Sequence, residues 1–335
     1  MSEKASHNSN NLLAQALVWA ETTDVALATV INTWGSAPRP VGSIMIIKNN
    51  DQFEGSVSGG CIEGAVIHSG REVISSGVSQ CLEFGVSNED AISVGLACGG
   101  TIRVLVERLD AKKCAQIKQI LESLQENTPA IWLKDINGSS AAEVILPSDE
   151  NITAEHKKNL NDDHSLCVLK NDTEIFLHIF NTPLKLVIIG AVHIAQTLSP
   201  IAKLSGFEVV VIDPRGAFAD AERMQGTNVI EGWPDEVLTK NMPDNRTGIV
   251  TLTHDPKLDD AALKVALKSE AFYIGCLGSK KTHAKRCDRL AEMGFTDKQL
   301  NRIHGPVGLD IGAKSPAEIA VSIVSQIIAT YRDAK

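Results

Sequence analysis

The 335-residue chain has seven cysteines and not one Cys-x-x-Cys pair. That absence removes zinc sites of the usual ligand spacing. An odd, scattered set of thiols also argues against a disulfide framework and fits reduced cysteines in a cytoplasm. A basic excess is missing too. Lys and Arg number 32 against 41 Asp and Glu, for a net charge of −9, and phosphate-backbone binding normally demands a basic surface, so nucleic acid is not expected as a partner. The longest apolar stretch, 184–204, is broken by Lys185, His193, Gln196 and Pro200. It reads as strand, turn and helix, not as a membrane span. Residues 1–11 are polar, with no apolar signal core. Internal repeats and low-complexity tracts are lacking as well. These absences leave a soluble, cytoplasmic protein, long enough for two or three domains.

What is there is a pair of thiols set against glycines. One lies in Ser58-Gly59-Gly60-Cys61-Ile62-Glu63, the other in Ala97-Cys98-Gly99-Gly100. Adjacent glycines expose successive backbone N–H groups, which suits an anionic ligand, and the neighbouring sulfur offers a further ligand or a nucleophile. Ala65, Val66, Val73 and Ile74 predict a helix over 62–74. Cys61 then falls at a helix N-terminus, where the dipole favours thiolate. A buried small hydrophobe is the ordinary fate of a free Cys, and Cys81, Cys114, Cys167, Cys276 and Cys287 are read that way. Arg39 stands alone in the Gly/Pro loop that follows the first predicted strand; clamping an anion and facing solvent are both open to it.

A helix is predicted over 12–21, strands over 25–32, 43–47, 53–57 and 101–106, and a helix over 110–125. Residues 147–164 are polar, charged and aperiodic, and read as a linker or mobile loop. From residue 184, apolar strands and helices alternate, which implies a parallel sheet with helices on both faces. The fold class is therefore α/β: an N-terminal α+β domain followed by a Rossmann-like parallel-sheet domain. The boundaries expected are a disordered tail at 1–11, a domain at 12–109, a connecting α+β region at 110–182 and the Rossmann-like domain at 183–335.

Gly190-Ala191-Val192-His193-Ile194-Ala195 occupies the dinucleotide turn of that second domain, and Asp213 ends the next strand where a ribose-binding carboxylate belongs. Val192 replaces the glycine that lets the backbone approach a pyrophosphate. NAD(P) is thus a secondary candidate, and Val192→Gly is expected to restore room for it. The loops Asp213-Pro214-Arg215, Thr253-His254-Asp255-Pro256 and Gly278-Ser279-Lys280-Lys281 follow predicted strands, at the edge where such sheets bind ligands. Lys281, Lys285 and Arg289 share one helix face. Ser279 and Lys280 begin that helix, where free amides and the dipole suit a phosphate; a solvated face is the alternative. No histidine is identifiable as a base for Cys61, which disfavours a covalent catalyst.

Several long motifs, in order, resemble the XdhC/CoxI family. They are Thr33-Trp34-Gly35-Ser36-Ala37-Pro38-Arg39, Gly55-Ser56-Val57-Ser58-Gly59-Gly60-Cys61-Ile62-Glu63, Cys98-Gly99-Gly100, Val211-Ile212-Asp213-Pro214-Arg215, Tyr273-Ile274-Gly275-Cys276-Leu277-Gly278-Ser279 and Gly305-Pro306-Val307-Gly308-Leu309-Asp310-Ile311-Gly312. The resemblance implies a maturation factor for molybdenum hydroxylases such as xanthine dehydrogenase. Such a factor binds the molybdenum cofactor (molybdopterin), protects it while a cysteine desulfurase supplies its sulfido ligand, and delivers it to the hydroxylase apoenzyme. It is a non-catalytic role, and a homodimer is compatible with it. Cofactor binding and contact with the metal carry over to Cys61. The wider cofactor-binding set expected is Ser58, Gly59, Gly60, Glu63, Cys98, Gly99, Gly100 and Arg39, with Gly190, His193, Asp213, Arg215, His254, Gly278, Ser279, Lys280 and Lys281 in the second half. The competing function is an NAD(P)-dependent oxidoreductase working through the C-terminal domain.

Overall fold

The structure, a computed structural model, describes residues 9–35, 39–85, 100–137, 142–216, 224 and 226–333. The chain divides into two units, Met1–Thr182 and Pro183–Lys335.

The first unit begins with α1 (Ser9–Ala20), β1 (Val25–Trp34), β2 (Ile44–Lys48), β3 (Phe53–Gly55), α2 (Glu63–Ser76), β4 (Gln80–Phe84) and β5 (Thr101–Arg108). The strands form an antiparallel sheet in the order β3-β2-β1-β5-β4. As the central strand, β1 is buried on both faces. Ala26, Ala28 and Val30 cluster with Val66, Val73 and Ile74 of α2, while Val25 and Leu27 cluster with Leu13 and Trp19 of α1. The period of two separating these sets is the strand's own.

Next come α3 (Ala111–Gln125), β6 (Ala130–Asp135), β7 (Glu143–Ile145), α4 (Ala154–Asn161), β8 (Leu166–Lys170) and β9 (Thr173–Phe180). Their strands make a second antiparallel sheet, β7-β6-β9-β8. Here the structure departs from expectation. Residues 110–182 do not stand apart from 12–109, because Ile117, Ile120, Trp132 and Phe180 belong to the same apolar cluster as α1. Nor is 147–164 a plain linker. A capping box between Thr153 and His156 starts α4, and Leu160 anchors it in the core of the second sheet. One apolar anchor in a two-turn helix leaves no periodicity to read. Ser9, Asn10 and Asn11, expected in the tail, lie in the first turn of α1.

The second unit runs β10 (Leu184–Ile189), α5 (His193–Leu204), β11 (Phe207–Ile212), β12 (Asn228–Ile230), α6 (Pro234–Lys240), β13 (Thr247–Thr251), α7 (Pro256–Ala266), β14 (Tyr273–Cys276), α8 (Lys280–Glu292), α9 (Asp297–Leu300), β15 (Ile303–His304) and α10 (Pro316–Asp333). Its sheet has the order β12-β11-β10-β13-β14-β15, with every pairing parallel. Ala195, Leu198 and Ala202 of α5 and Ile323 and Ile327 of α10 cover one face. Leu238 of α6, Leu263 of α7 and Leu290 of α8 cover the other. Strand order reverses between β10 and β13, the position at which open α/β sheets bind ligands. Among the described residues no helix is long and apolar enough to cross a membrane.

One charged pair sits deep in the first unit. Lys134 of β6 is 1% exposed; its Nζ stands 3.0 Å from Glu107 Oε2 of β5 and 4.0 Å over the Trp132 ring. Breaking a buried pair from one side leaves the other charge uncompensated. Lys134→Met is therefore expected to cost about 3–5 kcal/mol in urea unfolding. The double variant Lys134→Met/Glu107→Leu should recover most of that loss.

Candidate functional site

Antiparallel order brings three motif loops to one end of the first sheet. β1 ends there at Trp34, which pairs with Thr101, where β5 begins. β4 ends there at Phe84, opposite Ile102. β2 begins there at Ile44, and β3 ends there at Gly55. The β1–β2 connection holding Arg39, the segment from Gly55 to Glu63, and Gly100 before β5 thus all belong to this end. Cys98 and Gly99 lie outside the described residues.

The glycine motif is organised around its own carboxylate. Oε1 of Glu63 accepts from the amides of Val57 (3.2 Å), Ser58 (2.9 Å) and Gly59 (3.1 Å) and from Ser56 Oγ (2.7 Å). Oε2 accepts from the Gly60 amide (2.9 Å) and Ser58 Oγ (2.5 Å). Ser58 Oγ in turn accepts from the amides of Cys61 and Ile62, both at 3.1 Å. Every amide from Val57 to Ile62 is engaged. Gly59 and Gly60 have φ of 81° and 126°, where L side chains are rarely found, and this is how successive amides turn toward one acceptor. The expected free amides at Ser58, Gly59 and Gly60 are therefore filled from within, and Glu63 is the group that fills them. Burial works against the charged carboxylate, but the hydrogen bonds from Ser58 and Ser56 outweigh it and hold the pKa at about 2.

What remains for a ligand is the sulfur. Cys61 is half-buried against the α2 side of the sheet, one residue before the helix cap at Ile62. Among the described residues, a Cβ at Gly60 or Gly64 would meet nothing within 4 Å. Trp34 is 74% exposed. Arg39 is half-buried, and its Nε has no hydrogen-bond partner among the described residues.

The dinucleotide turn of the second unit is also self-filled. Asp213 is wholly buried and accepts from the Ala191 amide at 2.9 Å. Arg215 folds back onto it through its amide (3.0 Å), Nε (2.9 Å) and Nη2 (2.7 Å). Burial opposes the charge on Asp213, yet these bonds keep its pKa below the ordinary value. The carboxylate expected to hold a ribose is thus committed to Arg215 and to the turn itself. Val192 caps α5 and packs on the apolar cluster of that face, and His193 after it is exposed. Gly190, at φ 102°, passes so close to the β13 loop that a Cβ would lie 2.5 Å from Thr253 Cγ2. Gly278 has φ 144°, and Ser279 caps α8 by accepting from the Thr282 amide. Lys280 and Lys281 are exposed in the first turn of α8. Arg289 is held by Asp260 at 2.7 and 2.9 Å.

Two family models match the chain: the XdhC and CoxI family over residues 18–85 and the XdhC Rossmann domain over residues 186–327. The chain belongs to the XdhC and CoxI family. It is 25% identical to the molybdenum cofactor insertion chaperone PaoD of Escherichia coli K12, over 90% of this chain and 81% of that one. It is 27% identical to a probable xanthine dehydrogenase subunit of Bacillus subtilis, over 92% and 94%. A solved structure described as a xanthine dehydrogenase from Bacillus halodurans superposes with a TM-score of 0.78, at 28% identity and 96% coverage of both chains.

Within this XdhC architecture, sequence reasoning located the motif and missed its occupant. The signal was a Ser-Gly-Gly turn with a Glu five residues after the Ser, at the start of a helix. Two outcomes follow from the self-filled turns. Glu63→Gln puts an amide donor against amide donors and should cost about 2 kcal/mol or more. Because the folded pKa of Glu63 is depressed, its stabilisation is present above its ordinary pKa of 4.5 and is lost as pH falls toward about 2. Melting curves should show the wild type losing stability through that window faster than Glu63→Gln. In the dinucleotide turn, Val192→Gly alone should leave an NADH fluorescence titration flat, contrary to the binding expected from sequence, because Asp213 stays committed to Arg215 and the Ala191 amide.

Proposed function

We propose that the protein is a molybdenum cofactor chaperone and that Cys61 is its principal contact with the cargo. The observation that carries this reading is a half-buried thiol on a loop fixed by six hydrogen bonds to Glu63, with open space beside it among the described residues. The donor set fits the cofactor. A thiolate is a soft ligand suited to a thiolate-rich molybdenum centre. Arg39 offers to anionic oxygen an Nε with no partner among the described residues, and Trp34 presents an exposed aromatic surface at the same end of the sheet. When bound, the cofactor supplies the redox-active metal that a hydroxylase needs; this chain's residues bind and orient it.

The likeness to PaoD, a cofactor insertion chaperone, supports the same assignment. In its finer form, the protein shields the cofactor while a cysteine desulfurase provides the sulfido ligand. It then passes the cofactor to a xanthine dehydrogenase-type apoenzyme in the cytoplasm. Cys98 is a second thiol for the same cargo in this reading. The oxidoreductase alternative loses ground with Asp213 and Val192 both turned inward.

Cys61→Ser should fold like wild type, since Ser58 Oγ and Glu63 hold the loop without the sulfur. Purified from cofactor-producing cells, it should carry roughly tenfold less molybdenum, or lower still, and should fail to activate an apo-hydroxylase. Cys81 is exposed, so thiol labelling of Cys61 is read in a Cys81→Ser background. Equal molybdenum in a folded Cys61→Ser protein would defeat the proposal.

A further inference from the structure

A cavity of about 150 Å³ opens in the second unit between the β13 loop and α8. Its lining includes His254, Asp259, Lys281, Lys285 and Arg286. Arg286 is 2% exposed. Its Nη2 donates to Leu277 O at 3.0 Å and stands 3.5 Å from Asp259 Oδ2. Its Nε and Nη1 are buried with no hydrogen-bond partner among the described residues. Buried donors are nearly always satisfied, and leaving two of them on a charged group is expensive. Asp259 does not complete the balance. Its Oδ1 is taken by Thr253 Oγ1 at 2.7 Å, its Oδ2 faces Arg286 Nη2 at 3.5 Å with no hydrogen-bond partner of its own among the described residues, and it can offset one positive charge only. Lys281 and Lys285 line the same cavity, and among the described residues neither has an ion-pair partner. The first turn of the 13-residue α8 adds its dipole to theirs.

We propose that this cavity is a phosphoryl-binding site, taking free phosphate or the phosphate monoester of a larger ligand. An acceptor with several oxygens and two charges meets the orphaned guanidinium donors and the two lysines at once. The volume leaves room for one such group. The site lies wholly within the second unit and does not depend on the cofactor reading of Cys61. His254, at φ 60°, forms part of its wall.

The test is a titration of the full chain with inorganic phosphate and, separately, with phenyl phosphate. It is read by calorimetry and backbone amide NMR, with chloride balancing ionic strength. Saturable binding is expected, with shifts centred on 278–286. Lys281→Gln/Lys285→Gln should weaken it about tenfold while moving the melting temperature by less than about 2 °C. Arg286→Lys keeps the charge beside Asp259 but loses the planar fork, and should weaken binding as well. Phenyl phosphate binding as tightly as phosphate identifies a monoester site; binding of phosphate alone identifies a free-phosphate site. Absence of saturable binding by either, shifts centred elsewhere, or unchanged affinity in the double lysine variant would overturn the proposal.

Discussion

The carboxylate of Glu63 organises the N-terminal motif. Six donors converge on its two oxygens, four of them backbone amides that positive-φ glycines and their neighbours turn inward. An N–H cluster of this kind is an anion seat by construction. Here the anion is covalently part of the chain, so it cannot dissociate, and its place in the first turn of α2 fixes the loop to the helix. The position of Cys61 follows, because its amide is held by Ser58 and Ser58 is held by Glu63. The second unit repeats the device with other residues: Asp213 takes the Ala191 amide of the turn that in nucleotide-binding relatives of this fold faces a pyrophosphate.

Much of the architecture is legible in the chain. The alternation from residue 184 onward marks a parallel sheet, because buried parallel strands and amphipathic helices leave distinct periods. The glycine motifs are legible as places where the backbone does something unusual. Whether a nest is empty is not legible, since that depends on a side chain several residues away closing onto it, and spacing does not specify the closure. The α4 segment failed for the opposite reason: its signal is a capping box with His at the third position and a single apolar anchor, too sparse for a periodicity argument.

Arg286 shows a third kind of limit. The helical face that stands out in sequence is Lys281, Lys285 and Arg289, because like charges four apart align. Arg289 is spent on Asp260. Arg286 sits one position off that row and reads as one more basic residue of a solvated helix. Yet it is the buried one, and the donors left without a partner among the described residues are its own. Burial depends on the approach of α7 and the β13 loop, which is tertiary information.

The self-filled nest bears on what happens when a carrier lets go. In many anion sites the loop is ordered by the ligand, so departure leaves stacked amides facing one another without an acceptor, and the loop loosens. Glu63 removes that dependence. The scaffold around Cys61 already has its hydrogen-bond partners within the chain, so a guest at the sulfur need not order the loop and its departure need not strand these donors. On the proposed role for Cys61, affinity would then be set by contacts to the guest alone, and handover to a tighter acceptor would not put the donor's own fold at risk.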